Sequence, residues 1–307
     1  MADNGLMTDA TDVPEVTLAR DVAMPMMGFG TWPLRGHKAC EAVRSALQAG
    51  YRHVDTATMY ANEADVSHAV SDSGLLRQEV FLTTKLRASD AGRPREVLTS
   101  SLRALGTDYV DLWLVHWPPR GKASVQVWRE FLALRDEGLA RAVGVSNYSL
   151  AQIDELVEAT GEAPAVNQIH WNPRRYDAGL LEGLRLRGVV AEGYSPLKDT
   201  NLHDPVLTEI AWAHSVTPAQ VVLRWHLDHE VAVIVKSADP KRMAANLNLF
   251  GFSLDADELF VTGTMGGIAP VIALDGRRIG DGSPGPVTLR LAKLLAELTA
   301  QSGTPVT

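Results

Sequence analysis

The sequence predicts a (β/α)8 barrel, or TIM barrel, with an N-terminal β-hairpin and an atypical C-terminal segment. Eight short apolar runs alternate with longer stretches of helical period, which indicates parallel strands joined by right-handed crossovers. The apolar runs are nearly continuous, as in strands that are covered on both faces. The length of 307 residues also suits one barrel of about 250 residues with short tails.

The elements are predicted in chain order. Residues 1–14 are expected to be disordered, residues 15–257 to form the barrel and residues 258–307 to form the atypical segment. Residues 16–18 and 23–26 flank Arg20-Asp21 and predict the hairpin. The barrel strands are predicted at residues 27–30, 53–55, 80–84, 110–115, 142–145, 166–169, 189–192 and 231–235. The helices are predicted at residues 38–49, 64–73, 94–105, 125–136, 150–160, 179–186 and 206–226.

Composition narrows the class of partner. A formal net charge of −8 argues against nucleic acid as the main partner. No apolar run approaches the ~20 residues of a membrane helix, and the N-terminal residues lack the basic and apolar parts of a secretory signal. The single cysteine, Cys40, fits a reducing cytoplasm and is expected to be buried in the first barrel helix. We therefore expect a cytoplasmic monomer that acts on a small molecule.

Titratable side chains follow three of the predicted strands. Asp55, Lys85 and His116 each end an apolar run, and Tyr60 lies on the connection after Asp55. Taken singly, the aspartate can cap a helix, the lysine can be solvated, and the histidine can belong to the core. Together they fall at the carboxyl ends of barrel strands, where barrels of this kind carry their active sites.

These four residue types suit the reduction of a carbonyl group. Hydride transfer to a carbonyl carbon leaves an alkoxide that needs a proton from a positioned acid. The Tyr60 phenol can give that proton, and a positive charge at Lys85 favours the phenolate that remains. Asp55 can hold Lys85 in place, and His116 can hydrogen-bond the substrate oxygen.

Motifs across residues 15–255 resemble those of the aldo-keto reductases. The matching segments occur in the family's order. They are residues 28–32, 50–63, 82–85, 101–112, 114–118, 144–147, 167–168, 194–197 and 235–237. The resemblance implies that Tyr60 is the proton donor, Lys85 its pKa-lowering neighbour, Asp55 the partner of that lysine and His116 the residue that orients the substrate.

The resemblance also implies NADPH as the cofactor. It places Tyr194 against the nicotinamide ring, with Ser146, Asn147 and Gln168 bonding the carboxamide. Alternatively, Ser146 and Asn147 cap the helix that follows. The residues expected to contact the cofactor are Gly30, Thr31, Asp55, Ser146, Asn147, Gln168, Tyr194, Ser195, Leu197, Lys236, Ser237, Arg242 and Asn246.

Residues 236–246 resemble the family's site for the adenosine 2′-phosphate. Lys236, Ser237 and Arg242 provide two cations and a hydroxyl, which fit a phosphate monoester, although a solvated charge cluster is the alternative. Ala245 departs from the acidic or amide residue that is common in the family at this position. The sequence thus favours NADPH over NADH.

The expected substrate pocket is aromatic. Trp32, Tyr60, His116 and Trp117 match positions that line the family's pocket, which implies partly apolar aldehydes or ketones. The other tryptophans, among them Trp113, Trp128 and Trp225, are predicted to pack in the core or against helices.

The family resemblance stops near residue 257. Residues 258–290 instead resemble the C-terminal end of a PLP-dependent class IV (branched-chain or D-amino-acid) aminotransferase, in which the equivalent of residues 262–264 helps to bind the cofactor phosphate. This stretch is far too short for that fold, so we do not expect it to bind PLP. Residues 260–261 and 271–274 resemble strands and residues 287–299 an amphipathic helix. Without the family's usual closing loop, the pocket is expected to be wider.

The resulting prediction is an NADPH-dependent aldehyde or ketone reductase. The alternatives are a regulatory or scaffold barrel that binds NADPH with little turnover, a fusion linked to a transaminase, and a metal-dependent hydrolase. The last lacks a ligand set, because the nine histidines show no pairing at metal-binding spacing.

Overall fold

Eight parallel strands close into a barrel whose order follows the chain, which confirms the predicted (β/α)8 architecture. The computed structural model describes residues 13–121 and 123–255 and the backbone of four short strands after residue 260. The barrel strands are β3 (Met27–Gly30), β4 (His53–Asp55), β5 (Phe81–Leu86), β6 (Val110–Val115), β7 (Ala140–Ser146), β8 (Val166–His170), β9 (Val190–Tyr194) and β10 (Ala232–Val235). Strand β10 pairs with both β9 and β3, so the barrel has no open edge.

A hairpin precedes the barrel, as predicted. Strands β1 (Glu15–Leu18) and β2 (Val22–Pro25) pair antiparallel around a turn at Arg20-Asp21, both of which have positive φ. The hairpin buries Leu18 and Met24 in one apolar cluster with Phe81, the first residue of β5. Because strand starts meet at one end of a parallel barrel, the hairpin packs at the amino end and leaves the carboxyl end for a site.

Helices cover the outside of the barrel. They are α1 (His37–Gln48), α2 (Glu63–Asp72), α3 (Pro94–Leu105), α4 (Ala123–Asp136), α5 (Leu150–Thr160), α6 (Ala178–Arg185), α7 (Pro205–Ala213), α8 (Pro218–Asp228) and α9 (Pro240–Leu247). Their apolar faces and the outward faces of the strands form one continuous core.

The single helix predicted at residues 206–226 is wrong, because the structure has two helices there. The chain turns through Ser215, whose φ is 55°. Thr217 then caps α8: its side chain accepts from the Gln220 backbone, and the Gln220 side chain accepts from the Thr217 backbone. Pro218 occupies the first turn of α8, where its missing N–H costs nothing. One helix is predicted from the sequence because the apolar periodicity continues across these start signals.

Other boundaries also differ from the predictions. Strand β5 continues through Lys85 to Leu86, and β9 continues to Tyr194, so these two side chains lie within strands and not after them. Helix α9 is an addition to the predicted elements, because the sequence indicates only a phosphate-binding segment there. Cys40 is half-buried and not buried, although it lies in α1 as expected.

Large aromatic side chains fill the layer between strands and helices. Trp113 and Phe131 stack with 3.7 Å between ring centroids, and Trp128 packs beside them. On the opposite side Trp225 stacks on Trp171. The burial predicted for Trp113, Trp128 and Trp225 is therefore confirmed.

The two chain ends are only partly described. Most of the predicted disordered N-terminal segment, residues 1–12, lies outside the described residues. After residue 260, β11 (Val261–Gly263) pairs antiparallel with β12 (Gly267–Ala269), and β13 (Ala273–Leu274) with β14 (Arg277–Arg278). The helix expected at residues 287–299 lies outside the described residues. In the part of the chain that is described, no helix is both long and apolar enough to cross a membrane.

Removing a core aromatic is expected to destabilise the barrel far more than removing an exposed one. Trp113 is completely buried, whereas the Trp212 side chain on α7 is 84% exposed. We expect Trp113→Ala to lower the free energy of unfolding by about 3–5 kcal/mol because it leaves a cavity. The matched change Trp212→Ala should alter it by less than about 0.5 kcal/mol. Urea denaturation measures both, and equal losses would contradict the packing described above.

Candidate active site

A buried ion pair lies at the carboxyl end of β4 and β5. The Nζ atom of Lys85 is 2.5 Å from Oδ1 of Asp55 and donates a second hydrogen bond to the Thr56 carbonyl at 2.9 Å. Both side chains are almost entirely buried. Burial is the largest single effect on the pKa of Lys85 and lowers it, but the negative charge and the hydrogen bond of Asp55, together with the other acidic groups nearby, outweigh burial, so the pKa is raised and the ammonium form persists.

Tyr60 is held above this pair by a short helical turn, Thr58–Tyr60. The Thr58 hydroxyl donates to the Lys85 carbonyl at 2.9 Å, which ties the turn to β5. Asn62, also buried, accepts from the Thr56 hydroxyl and donates to the Leu34 carbonyl. These bonds fix the connection after β4, so that Lys85 Nζ lies 5.2 Å from the centre of the Tyr60 ring.

Burial keeps the Tyr60 phenol protonated. Burial raises the pKa of Tyr60, and the positive charge of Lys85 lowers it without cancelling the effect of burial. Lys85 is thus a pKa-lowering neighbour, as expected, but the net pKa of Tyr60 lies above the usual value for tyrosine. At neutral pH the group is a phenol that has a proton to give.

His116 faces Tyr60 from the end of β6. The two rings lie 5.7 Å apart, edge to face. Burial and then the charge of Lys85 lower the pKa of His116 to about 3, so the imidazole is neutral at neutral pH. A neutral imidazole has one N–H to donate, and it can therefore orient a carbonyl oxygen without competing as an acid.

Polar side chains from β7, β8 and β9 form the opposite wall. The Tyr194 hydroxyl donates to Asn147 Oδ1 at 2.9 Å, and the Asn147 amide donates to Ser146 Oγ and to the His116 carbonyl. Ser146 in turn donates to the Gln168 carbonyl. Ser149 caps α5, with Gln152 completing the capping box, so the alternative in which Ser146 and Asn147 cap that helix is wrong.

These walls enclose a cleft of about 600 Å³ at the carboxyl end of the barrel. It brings together most of the residues that the sequence singled out for catalysis, cofactor and substrate. The lining includes Gly30, Trp32, Asp55, Tyr60, His116, Trp117, Ser146, Asn147, Gln168, Tyr194, Ser195, Leu197 and Lys236. Lys85 lies beneath the cleft, and buried Thr31 bonds the Asp55 carbonyl through its hydroxyl.

The residues expected around the 2′-phosphate run from Lys236, which lines this cleft, to Arg242 and Asn246, which lie in α9. Lys236 and Arg242 are exposed, and Arg242 Nε is 3.4 Å from an oxygen of Asp239. Ser237 is buried and forms a local turn with the Asp239 backbone. Asn246 is buried inside α9, where it hydrogen-bonds Tyr51 and so does not point to solvent.

The structure also places polar groups that the sequence reasoning missed. Glu192 is fully buried inside the barrel and accepts from Gln168 Nε2 at 2.6 Å. His53 is fully buried too, between the Pro25 carbonyl and the Thr83 hydroxyl. A charged residue within an otherwise apolar strand was the available signal for Glu192. Within the described ranges, no three His, Cys, Asp or Glu side chains are arranged to hold a metal ion.

The cleft fits NADPH by its chemistry. Tyr194 offers an aromatic ring and Asn147 and Gln168 offer amides, which suit a planar ring that carries a carboxamide. Lys198 and Lys236 at the rim supply positive charge for a phosphorylated ligand. These groups would hold the cofactor against the wall of the cleft that faces Tyr60.

Comparison with known proteins agrees with this site. The model of the aldo/keto reductase family matches residues 26–260. An aldo-keto reductase of Mycolicibacterium smegmatis is 41% identical over 250 residues, which cover 80% of this chain and 91% of that protein. A methylglyoxal reductase of Salmonella typhimurium is 40% identical over 240 residues, which cover 77% of this chain and 87% of the relative.

A solved structure agrees as well. The crystal structure of a Bombyx mori aldo-keto reductase in complex with NADP is 31% identical, with a TM-score of 0.76, and the match covers 80% of this chain and 91% of that one. The family match spans well over half of the chain and includes all four residues of the candidate catalytic group. The chain belongs to the aldo/keto reductase family.

Proposed function

We propose that this protein reduces the carbonyl group of small aldehydes or ketones to an alcohol, with Tyr60 as the proton donor. As a member of its family, the chain is an NADP-dependent oxidoreductase that acts on carbonyl groups. The observation that carries the finer proposal is the grouping of Asp55, Lys85, Tyr60 and His116 at one end of the cleft.

Each of the four side chains has one task in this proposal. Bound NADPH supplies a hydride to the carbonyl carbon. His116, a neutral imidazole, hydrogen-bonds the carbonyl oxygen and orients it towards Tyr60. The Tyr60 phenol donates its proton to that oxygen, and the C=O bond becomes a C–OH group. Lys85 stabilises the phenolate that remains until solvent returns a proton, and Asp55 keeps Lys85 in position.

The walls of the cleft favour a partly apolar substrate. Trp32 and Trp117 are each half-exposed at its mouth, and Met59 also lines the cleft. Trp32 packs against Tyr60 with 5.1 Å between ring centroids, so a substrate on Trp32 is next to the proposed donor. The similarity to a methylglyoxal reductase supports small oxoaldehydes as the first compounds to test.

We also propose that the protein works as a cytoplasmic monomer without a nucleic-acid partner. The formal charge of −8 disfavours attraction to a polyanion, and the single cysteine suits a reducing compartment.

Replacing the Tyr60 hydroxyl should abolish most of the turnover. We expect Tyr60→Phe to lower kcat by roughly 10²–10⁴, the contribution of a positioned general acid. NADPH binding should stay near native, because the ring remains in place. The absorbance of NADPH, followed with methylglyoxal and with an aromatic aldehyde, measures turnover, and fluorescence measures binding. A Tyr60→Phe variant that reduces aldehydes at the native rate would rule out Tyr60 as donor. Tight NADPH binding by the native protein without turnover on any carbonyl would favour the regulatory alternative.

Preference for NADPH over NADH is expected to depend on Arg242. If this guanidinium binds the 2′-phosphate, Arg242→Ala should raise the KM for NADPH about tenfold, as for one charged hydrogen bond at an exposed site. The KM for NADH, which lacks this phosphate, should not change. Lys241→Ala, one residue away and also exposed, is the matched control. An equal loss in both variants would indicate a general effect of charge and no specific site.

A further inference from the structure

Glu192 is a carboxylic acid buried within the barrel, below the candidate active site. It precedes Tyr194 by two residues in β9, so the two side chains lie on the same face of the strand. Its Oε2 atom accepts from Gln168 Nε2 at 2.6 Å, and the two residues are direct partners in the register of β8 and β9. Its Oε1 atom has no hydrogen-bond partner among the described residues. None of the steps described above uses this group.

The hydrogen bonds of Gln168 determine which atom of its side-chain amide faces Asp55 and Glu192 and which atom faces the cleft. Its Nε2 atom also bonds Oδ2 of Asp55 at 2.8 Å, while Oδ1 of Asp55 meets the ammonium of Lys85. A carboxylate only accepts hydrogen bonds, so the Gln168 atom that faces Asp55 must be the amide nitrogen. One amide hydrogen then points to Asp55 and the other to Glu192. Only Oε1 of Gln168 is left for a molecule in the cleft that Gln168 lines.

We propose that Glu192 is a positioning residue that acts as a neutral acid and, together with Asp55, fixes the Gln168 amide so that only its acceptor oxygen faces the cleft. This inference rests on the proposed function, in which Gln168 contacts the carboxamide of the nicotinamide ring. An acceptor at that point selects the NH2 of the carboxamide and disfavours its oxygen. Glu192 and Asp55 thereby determine together which way the carboxamide is turned.

The charges around Glu192 explain why it is neutral. The titratable groups that face it are His53 and Asp55 from β4 and Lys85 from β5, whereas β10 presents only apolar residues. One ammonium cannot balance two buried carboxylates, so one of the two acids keeps its proton. Asp55 holds the ammonium directly, which leaves Glu192 as the neutral partner.

The pKa values agree with that assignment. Burial, and then the negative charge of Asp55, raise the pKa of Glu192 to about 8. His53 lies 3.8 Å from Oε1, but burial lowers its pKa to about 4, so it supplies no charge at neutral pH. The proton of Glu192 belongs on Oε1, because Oε2 accepts from Gln168. A glutamine at position 192 would keep an acceptor oxygen for Gln168, and a leucine would not.

A cofactor analogue tests the orientation of the amide. In the acetylpyridine analogue of NADP⁺ a methyl group replaces the carboxamide NH2, so it leaves the Gln168 oxygen unpaired. We expect the native protein and Glu192→Gln to bind NADP⁺ roughly tenfold or more tightly than the analogue. Glu192→Leu should reduce that ratio to about threefold or less, because the amide is then held by Asp55 alone and can pivot on that single hydrogen bond, so that its oxygen is no longer fixed towards the cleft. Quenching of tryptophan fluorescence gives the dissociation constants. An undiminished ratio in Glu192→Leu would overturn the proposal.

The proton on Glu192 is tested without any cofactor. Its pKa is raised in the folded state, so the native protein holds a proton that the unfolded chain releases. Between about pH 5 and pH 8 the unfolding constant of the native protein should therefore rise about tenfold per pH unit relative to Glu192→Gln, and then level off. Urea denaturation of both proteins over this range measures the ratio, and a ratio that is independent of pH would overturn the neutral acid.

A failure of the proposed function can be distinguished from a failure of the inference about Glu192. A native protein that bound neither NADPH nor NADP⁺ would argue against the reductase. The unfolding comparison would still decide whether Glu192 holds a proton beside Gln168.

Discussion

The ion pair between Lys85 and Asp55 is the constraint on which the rest of the site depends. Two opposite charges are removed from water at the end of the barrel, and that costs free energy unless their hydrogen-bonding capacity is filled. The pair fills it with the Thr56 carbonyl and the Gln168 amide. Removing either Lys85 or Asp55 would leave the other as an uncompensated buried charge. The elements that supply these groups, β4, β5 and β8, are therefore held in one relative position.

The barrel makes such a pair possible because its carboxyl end is built from the ends of separate strands. Asp55 and Lys85 come from neighbouring strands, and Gln168 reaches them from β8 on the other side of the barrel. Hydrogen bonds from Thr58 and Asn62 hold the turn that carries Tyr60. Helices seal the outside, so these groups share a region of low polarity. There burial, and then the positive charge of Lys85, lower the pKa of His116, and the same charge stabilises a phenolate of Tyr60.

Prediction from sequence succeeded where residue order carries the information. The alternation of apolar runs with helical stretches predicts the barrel, and the position of Asp55, Lys85 and His116 at the ends of apolar runs predicts that they belong to the site. It failed at residues 206–226, where apolar periodicity continues across the break between α7 and α8 and outweighed the Thr217-Pro218 start signal. It also missed Glu192, because a glutamate at the end of a predicted strand is usually solvated, and only burial inside the closed barrel changes its state.

The sequence by itself determined the class of fold and the inventory of chemical groups, because strand and helix periods and strand-end side chains are local properties of the chain. Tertiary structure alone decided how those groups combine. Gln168 is 113 residues from Asp55 along the chain, and Glu192 is 24 residues beyond Gln168, yet one amide nitrogen bonds both acidic side chains. Such a contact, and the pKa values that follow from it, depend on burial and on distances in space, which exist only once the eight strands have closed.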